Sequence, residues 1–155
     1  MPNCSGILLA LTCLAATPLG AQARQAEAEV LDVVQRMLKV LETKDAASVA
    51  ALVDSTTRFT LLRPGRVIIL TGYQFLNAVT NPNSPPAVEL IRNPEVRIDG
   101  DLATVWTEYQ VIVNGAVSHC GFDAFHLSRA GGAWKVLNVS DSFRNTGCGG
   151  PWNAP

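Results

Sequence analysis

Asn114-Gly115 separates two long β-rich runs, Leu102 to Val113 and Ala116 to Ser128. Asn-Gly accepts the positive φ angles of a two-residue hairpin turn, so the second half of the chain is committed to antiparallel strands. Asp99-Gly100-Asp101 turns into the first run from Val88 to Ile98, which Pro94 interrupts. Ala130-Gly131-Gly132-Ala133 leads from the second run into Trp134 to Phe143. Four successive strands of this kind form a meander.

The first half reads differently. Val30, Val34, Met37, Leu38 and Leu41 recur at helical spacing, with Glu27, Glu29, Asp32, Arg36 and Lys39 largely opposite, which predicts an amphipathic helix over Ala26 to Leu41. Asp45 is placed to cap a second helix from Ala46 to about Val53. Arg58 to Leu62 and Arg66 to Thr71 are short β-rich runs around the Pro64-Gly65 turn. Gly72 to Val79 reads as a third short helix, closed by the proline-rich loop from Asn81 to Pro86. Helices first and a meander second give an α+β fold, with about three helices on one face of a curved, mostly antiparallel sheet.

Met1 to Ala23 carries no charged residue. Ile7 to Ala16 is too short to span a bilayer but fits a secretory h-region, and Ala21-Gln22-Ala23 supplies a small-x-small cleavage site. The expected organisation is a signal peptide over residues 1–23, one domain over 24–148, and an irregular tail over 149–155. Such a protein is secreted or periplasmic, without stable membrane insertion after cleavage. Cys4 and Cys13 leave with the leader. Cys120 and Cys148 remain, either bridged across about 28 residues or as two free thiols.

Twelve Lys and Arg against thirteen Asp and Glu leave a net charge of -1, which argues against a nucleic-acid partner. A symmetric Asn114-Gly115 loop sets Gln110 opposite His119 and Trp106 opposite Asp123. A symmetric loop at Gly131-Gly132 sets Phe125 opposite Asn138 and Asp123 opposite Ser140. One sheet face then carries Trp106, Glu108, Gln110, His119, Asp123, Phe125, Asn138 and Ser140, a mixture of aromatic wall and converging polar groups typical of small-ligand pockets. Tyr73 can reach the mouth of such a pocket. His119 and Cys120 point to opposite faces and make no nucleophilic pair. His119, Asp123 and Glu108 are too thin a set for a metal site. No cofactor is expected.

Several segments resemble the nuclear transport factor 2-like (SnoaL-like) superfamily, in particular its small secreted lumazine-binding branch. They are Lys44-Asp45, Gly72-x-x-Phe75, Asp101 to Trp106, His119 to Leu127, Trp134-Lys135-Val136 and Asp141. The resemblance covers about Ala26 to Cys148. It implies a cone of bent sheet around three helices, with a pocket at the wide end and pairing of two copies through the sheet. Asp123-x-Phe125-x-Leu127 is similar to the strand that bears the oxyanion-stabilising aspartate of ketosteroid isomerases. Their tyrosine falls near Met37 and their general base near Thr60, so that isomerase mechanism is not expected. The leading expectation is a protein that binds a small cyclic or aromatic ligand, non-catalytic or only cryptically active. The enzymatic alternative is a hydrolase, dehydratase or isomerase with Asp123 and His119 as acid–base pair. The third is an interaction module with a vestigial pocket. A dull role also stands beside the functional one: Asp123 as a buried carboxylate hydrogen-bonded to His119, Trp106 or Ser140, holding the sheet in register. Asp141 with Arg144 is read as a salt bridge anchoring the tail.

Overall fold

The computed structural model describes residues 19–129 and 131–153. Residues 1–18 of the expected leader, with Cys4 and Cys13, lie outside them. Helix α1 runs Leu19–Thr43, longer than expected at its start, and buries Val30, Val34, Met37 and Leu38, as the spacing predicts, with Val33 and Val40 besides. Lys44 ends it with a φ of 59°, its amide bonded to the Val40 carbonyl.

Asp45 does cap the next element, accepting from the Ala47 and Ser48 amides, but that element is a 3-10 turn, Ala46–Val49, and no helix continues to Val53. The backbone beyond it is recruited elsewhere: the Leu52 carbonyl accepts from the Val136 amide, and Thr57 Oγ1 donates to the Val136 carbonyl. Tertiary pairing with the last strand replaces the helical bonds that Leu52 would have made.

Strands β1 (Arg58–Arg63) and β2 (Arg66–Thr71) form the expected hairpin. Helix α2 (Gly72–Val79) follows, started by a Thr71–Gln74 capping box. Strands β3 (Ala87–Asp99), β4 (Leu102–Val113), β5 (Ala116–Ser128) and β6 (Lys135–Asp141) complete one sheet in the order β2-β1-β6-β5-β4-β3. The β1–β6 pair is parallel and every other neighbour is antiparallel. Asn114 and Gly115 turn with φ of 52° and 78°, the pair of left-handed angles that the hairpin requires. The core lies between the inner face of the sheet and helices α1 and α2.

Two bulges change the register expected from symmetric loops. At Ser118 the pairing steps from Ile112↔Val117 to Val111↔His119, so Gln110 faces Cys120 and Thr107 faces Asp123. At Leu137 it steps from Leu127↔Val136 to His126↔Asn138, so Asp123 faces Asp141 rather than Ser140. Each bulge inserts one residue, and one residue moves a whole set of side chains to the opposite face. His119, Asp123 and Phe125 therefore share the inner face with Tyr109 and Asp141. Trp106, Glu108, Gln110, Asn138 and Ser140 lie on the outer one.

Candidate functional site

The inner face encloses a cavity of about 300 Å³. Met37, Leu38 and Leu41 of α1 and Phe75, Ala78 and Val79 of α2 form one wall. Phe59, Val111, Phe125 and Val139 form the other. Phe59 and Phe75 stack in parallel with ring centroids 3.8 Å apart. Against this apolar lining stands one cluster of polar side chains: Arg63, Glu89, Tyr109, His119, Asp123 and Asp141, drawn from five strands.

Asp123 is 3% exposed, and its Oδ2 has no hydrogen-bond donor among the described residues. The group against it is the Glu89 carboxyl, which can bond to it once one of the two carries a proton. Two ionised carboxylates have no donor between them, so the pair closes only by holding a proton. Burial pushes both groups up, Glu89 to about 7 and Asp123 well above the carboxylate range, where the nearby negative charge adds to the effect. The arrangement is a proton-sharing acid pair inside an apolar chamber.

The other charges are satisfied locally. Arg63 donates to both Asp141 oxygens at 2.8 and 2.7 Å, and the Leu62 amide donates to Asp141 Oδ1 at 2.9 Å. The guanidinium also lies over the Phe143 ring, 4.8 Å from its centroid. Asp141 thus pairs with Arg63 and not with Arg144, which instead exchanges backbone hydrogen bonds with Cys120. Tyr109 donates its hydroxyl to the Ser142 carbonyl at 2.8 Å, and burial with the surrounding acids pushes its acidity out of the physiological range. His119 packs on Tyr109 and Phe143, with Ser118 Oγ 3.0 Å from its Nδ1. Burial and Arg63 lower its pKa, so the ring is neutral at pH 7. No hydrogen bond joins His119 to Asp123 among the described residues. The expected His119–Asp123 partnership is replaced by Glu89–Asp123.

The remaining expected ligand residues face away from the cavity. Gln110 is fully buried beneath the C-terminal tail, where its Nε2 donates to the Cys148 and Gly150 carbonyls and its Oε1 accepts from the Trp152 amide. Trp106 is 50% exposed and stacks on Phe122. Glu108 accepts from Asn93, and Asn138 donates to Ser140. Tyr73 is 54% exposed on α2 and does not line the cavity. Cys120 and Cys148 stand at disulfide distance, Cα to Cα 5.7 Å, and pin the tail to this outer face. A wider surface groove of about 410 Å³ lies between α1 and β3, beside Trp152; it shares Glu89 with the cavity and is otherwise bordered by Lys39, Glu42 and Arg92.

Among the described residues no His, Cys, Asp and Glu side chains are grouped to hold a metal ion. No helix there is long and apolar enough to cross a membrane. Glu89 escaped the sequence reading, although a lone acid in the apolar run Ala87-Val88-Glu89-Leu90-Ile91 was a usable signal.

No family model and no curated protein matches the sequence. Solved structures do match. An NTF2-like protein with a cystatin-like fold from Novosphingobium aromaticivorans superposes with a TM-score of 0.67 at 15% identity, covering 84% of this chain and 90% of its own. A hexachlorocyclohexane dehydrochlorinase, LinA-type3, from Novosphingobium barchaimii gives 0.67 at 14% identity, covering 81% and 90%. A protein of unknown function with a cystatin-like fold from Nostoc punctiforme gives 0.65 at 13%, covering 77% and 92%. Likeness at these identities shows the fold, which is the α+β cone of nuclear transport factor 2-like proteins.

Proposed function

We propose that this chain, built on the nuclear transport factor 2-like fold, binds a small cyclic or aromatic compound in its inner cavity. The observation that carries the reading is that two carboxyls, Glu89 and Asp123, meet at the polar end of an otherwise apolar chamber, where both are raised in pKa. Apolar walls supply affinity by burying a ring, and a few converging polar groups orient it. A volume of about 300 Å³ sits at the small end of ligand pockets, which suits one or two rings. A second reading, a hydrolase, dehydratase or isomerase of such a compound, is favoured by one observation. Glu89 is raised to about 7, which matches a general acid–base to neutral pH. In that reading Glu89 takes the role that the sequence offered to His119.

Export through the Met1–Ala23 leader belongs to the same proposal, and the Cys120–Cys148 pair supports it, because such pairs persist in oxidising compartments. Pairing of two copies through the sheet would use the region around Trp106 and Phe122, since the tail covers Gln110.

The test is protein-observed NMR against a panel of one- and two-ring compounds, lumazine among them. Binders should shift Ala78, Val111 and Phe125 together. Val111→Trp, which fills the cavity, should abolish the shifts. Binding that survives the filled cavity sinks the proposal. Turnover of a bound compound that is lost in Glu89→Gln would establish the enzymatic reading.

A further inference from the structure

We propose that the ligand is a cation, a small cyclic or aromatic amine in its protonated form, whose N–H groups replace the proton shared by Glu89 and Asp123. The inference rests on the cavity being a ligand site and names the class of ligand. Its basis is the charge inventory of every element that faces the pair. Strand β3 contributes Glu89, β5 contributes Asp123 and the neutral His119, β6 contributes Asp141, β1 contributes Arg63, and β4 contributes the un-ionised Tyr109. Helices α1 and α2 line the cavity with apolar side chains. In the neighbouring groove that Glu89 also lines, Lys39 and Glu42 of α1 pair with each other and Arg92 of β3 lies over the Trp152 ring. Arg63 and Asp141 cancel, so the pair with its one proton leaves the chamber with a net charge of about minus one. Arg63 is the cavity's only cation among the described lining residues, and Asp141 holds it through both oxygens.

An anionic ligand would add a second negative charge to this apolar space, with no free cation to receive it. Burying an uncompensated charge is the costliest arrangement a protein interior can adopt. A protonated amine avoids that cost. The pair releases its proton to solvent and becomes doubly negative. The ammonium enters with one positive charge and donates N–H bonds to both carboxylates. The chamber keeps a net charge of about minus one throughout, and no bond other than the carboxyl O–H is broken. The aromatic rings of Phe59, Phe75 and Phe125 line the same space and favour a cation carried on an apolar ring.

Because a proton leaves as the ligand enters, affinity must rise with pH, by up to about tenfold per unit while the pair is protonated. A neutral ligand that accepts a hydrogen bond from the protonated pair would show the opposite sign.

Three probes of one shape separate the cases: naphthylmethylamine, naphthylmethanol and naphthoate, titrated calorimetrically into the full chain at about pH 6 and about pH 8. The amine should bind best and more tightly at the higher pH. Measurement in two buffers of different ionisation enthalpy should show about one proton released per amine at about pH 8, and more at about pH 6, where Glu89 is protonated as well. Glu89→Gln should weaken the amine at least about tenfold and flatten its pH dependence. An alcohol that outcompetes the amine, or an amine that binds more tightly in acid, overturns the cation while leaving the cavity as a binding site. Failure of all three probes to saturate removes the cavity reading and this inference together. The wild-type pH trend decides the matter even if the variant does not fold.

Discussion

Asp123 and Asp141 stand opposite each other across the β5–β6 ladder, and both side chains line the same cavity. Like charges facing across a ladder repel. The fold resolves the conflict by treating the two acids differently: Arg63 grips Asp141 at 2.7 Å, while Asp123 shares a proton with Glu89.

Arg63→Met should therefore cost about 3 kcal/mol in urea unfolding, because it strands a largely buried Asp141 beside the acid pair. Adding Asp141→Leu should recover most of that loss. A single variant within about 0.5 kcal/mol of wild type would show that the ion pair is incidental.

The acid pair also sets the sign of the pH dependence. Glu89 moves from 4.5 to about 7 on folding, and Asp123 is raised too, so the native state holds protons that the unfolded chain has released. The Glu89 contribution is fully present below about pH 4.5 and is lost as pH rises through about 7, and the Asp123 contribution declines with the same sign. Unfolding free energy should fall by a few kcal/mol across that window, and Glu89→Gln should flatten the decline. Rising stability between those limits in wild type, with no change in the variant, would contradict the shared proton.

Gly121 marks where the chain after β6 closes on β5. A Cβ built there would lie 2.1 Å from the Ser142 carbonyl oxygen and 2.8 Å from Tyr109 Cε1. Gly121→Ala must push the 142–144 segment off the strand and break the Tyr109–Ser142 bond. We expect a loss of more than about 3 kcal/mol, with amide exchange accelerated at Cys120 and Arg144. Unchanged exchange at those two amides would refute this close approach.

Reduction of Cys120–Cys148 should destabilise the protein by about 3 kcal/mol, as expected for a closed loop with a sequence separation of 28. The released tail also deprives the buried Gln110 of its three hydrogen bonds. Denaturant midpoints with and without reductant measure the effect. Gln110 side-chain amide signals that stay protected after reduction would show that the tail holds without the bridge.

Much of this fold was legible in the sequence because it is written in local chemistry. The Asn114-Gly115 turn, the Pro64-Gly65 turn and the helical spacing of Val30, Val34 and Met37 each encode their element through neighbours in the chain. Asp45 carries the local chemistry of a cap, but the length of the element behind it depends on Leu52, which Val136 claims from a distant strand. The site depends on register in the same way. Alternation along one strand puts His119, Asp123 and Phe125 on one face, while bulges at Ser118 and Leu137 exchange Gln110 for Tyr109 and Ser140 for Asp141. No glycine marks either bulge, and neither leaves a local sequence signature. Glu89 was overlooked because its partner Asp123 lies on a strand that is not its neighbour, and only the rolled sheet brings the two together.

The central claim is that Glu89 and Asp123 hold a proton between them in the cavity at neutral pH. Carbon-detected NMR of the side-chain carboxyls, followed through a pH titration, reads this directly. The account predicts a Glu89 carboxyl in mid-titration near pH 7 and an Asp123 carboxyl that keeps its proton to higher pH than Glu89 does. Two carboxyls fully ionised below about pH 5, the ordinary range for exposed acids, would contradict it.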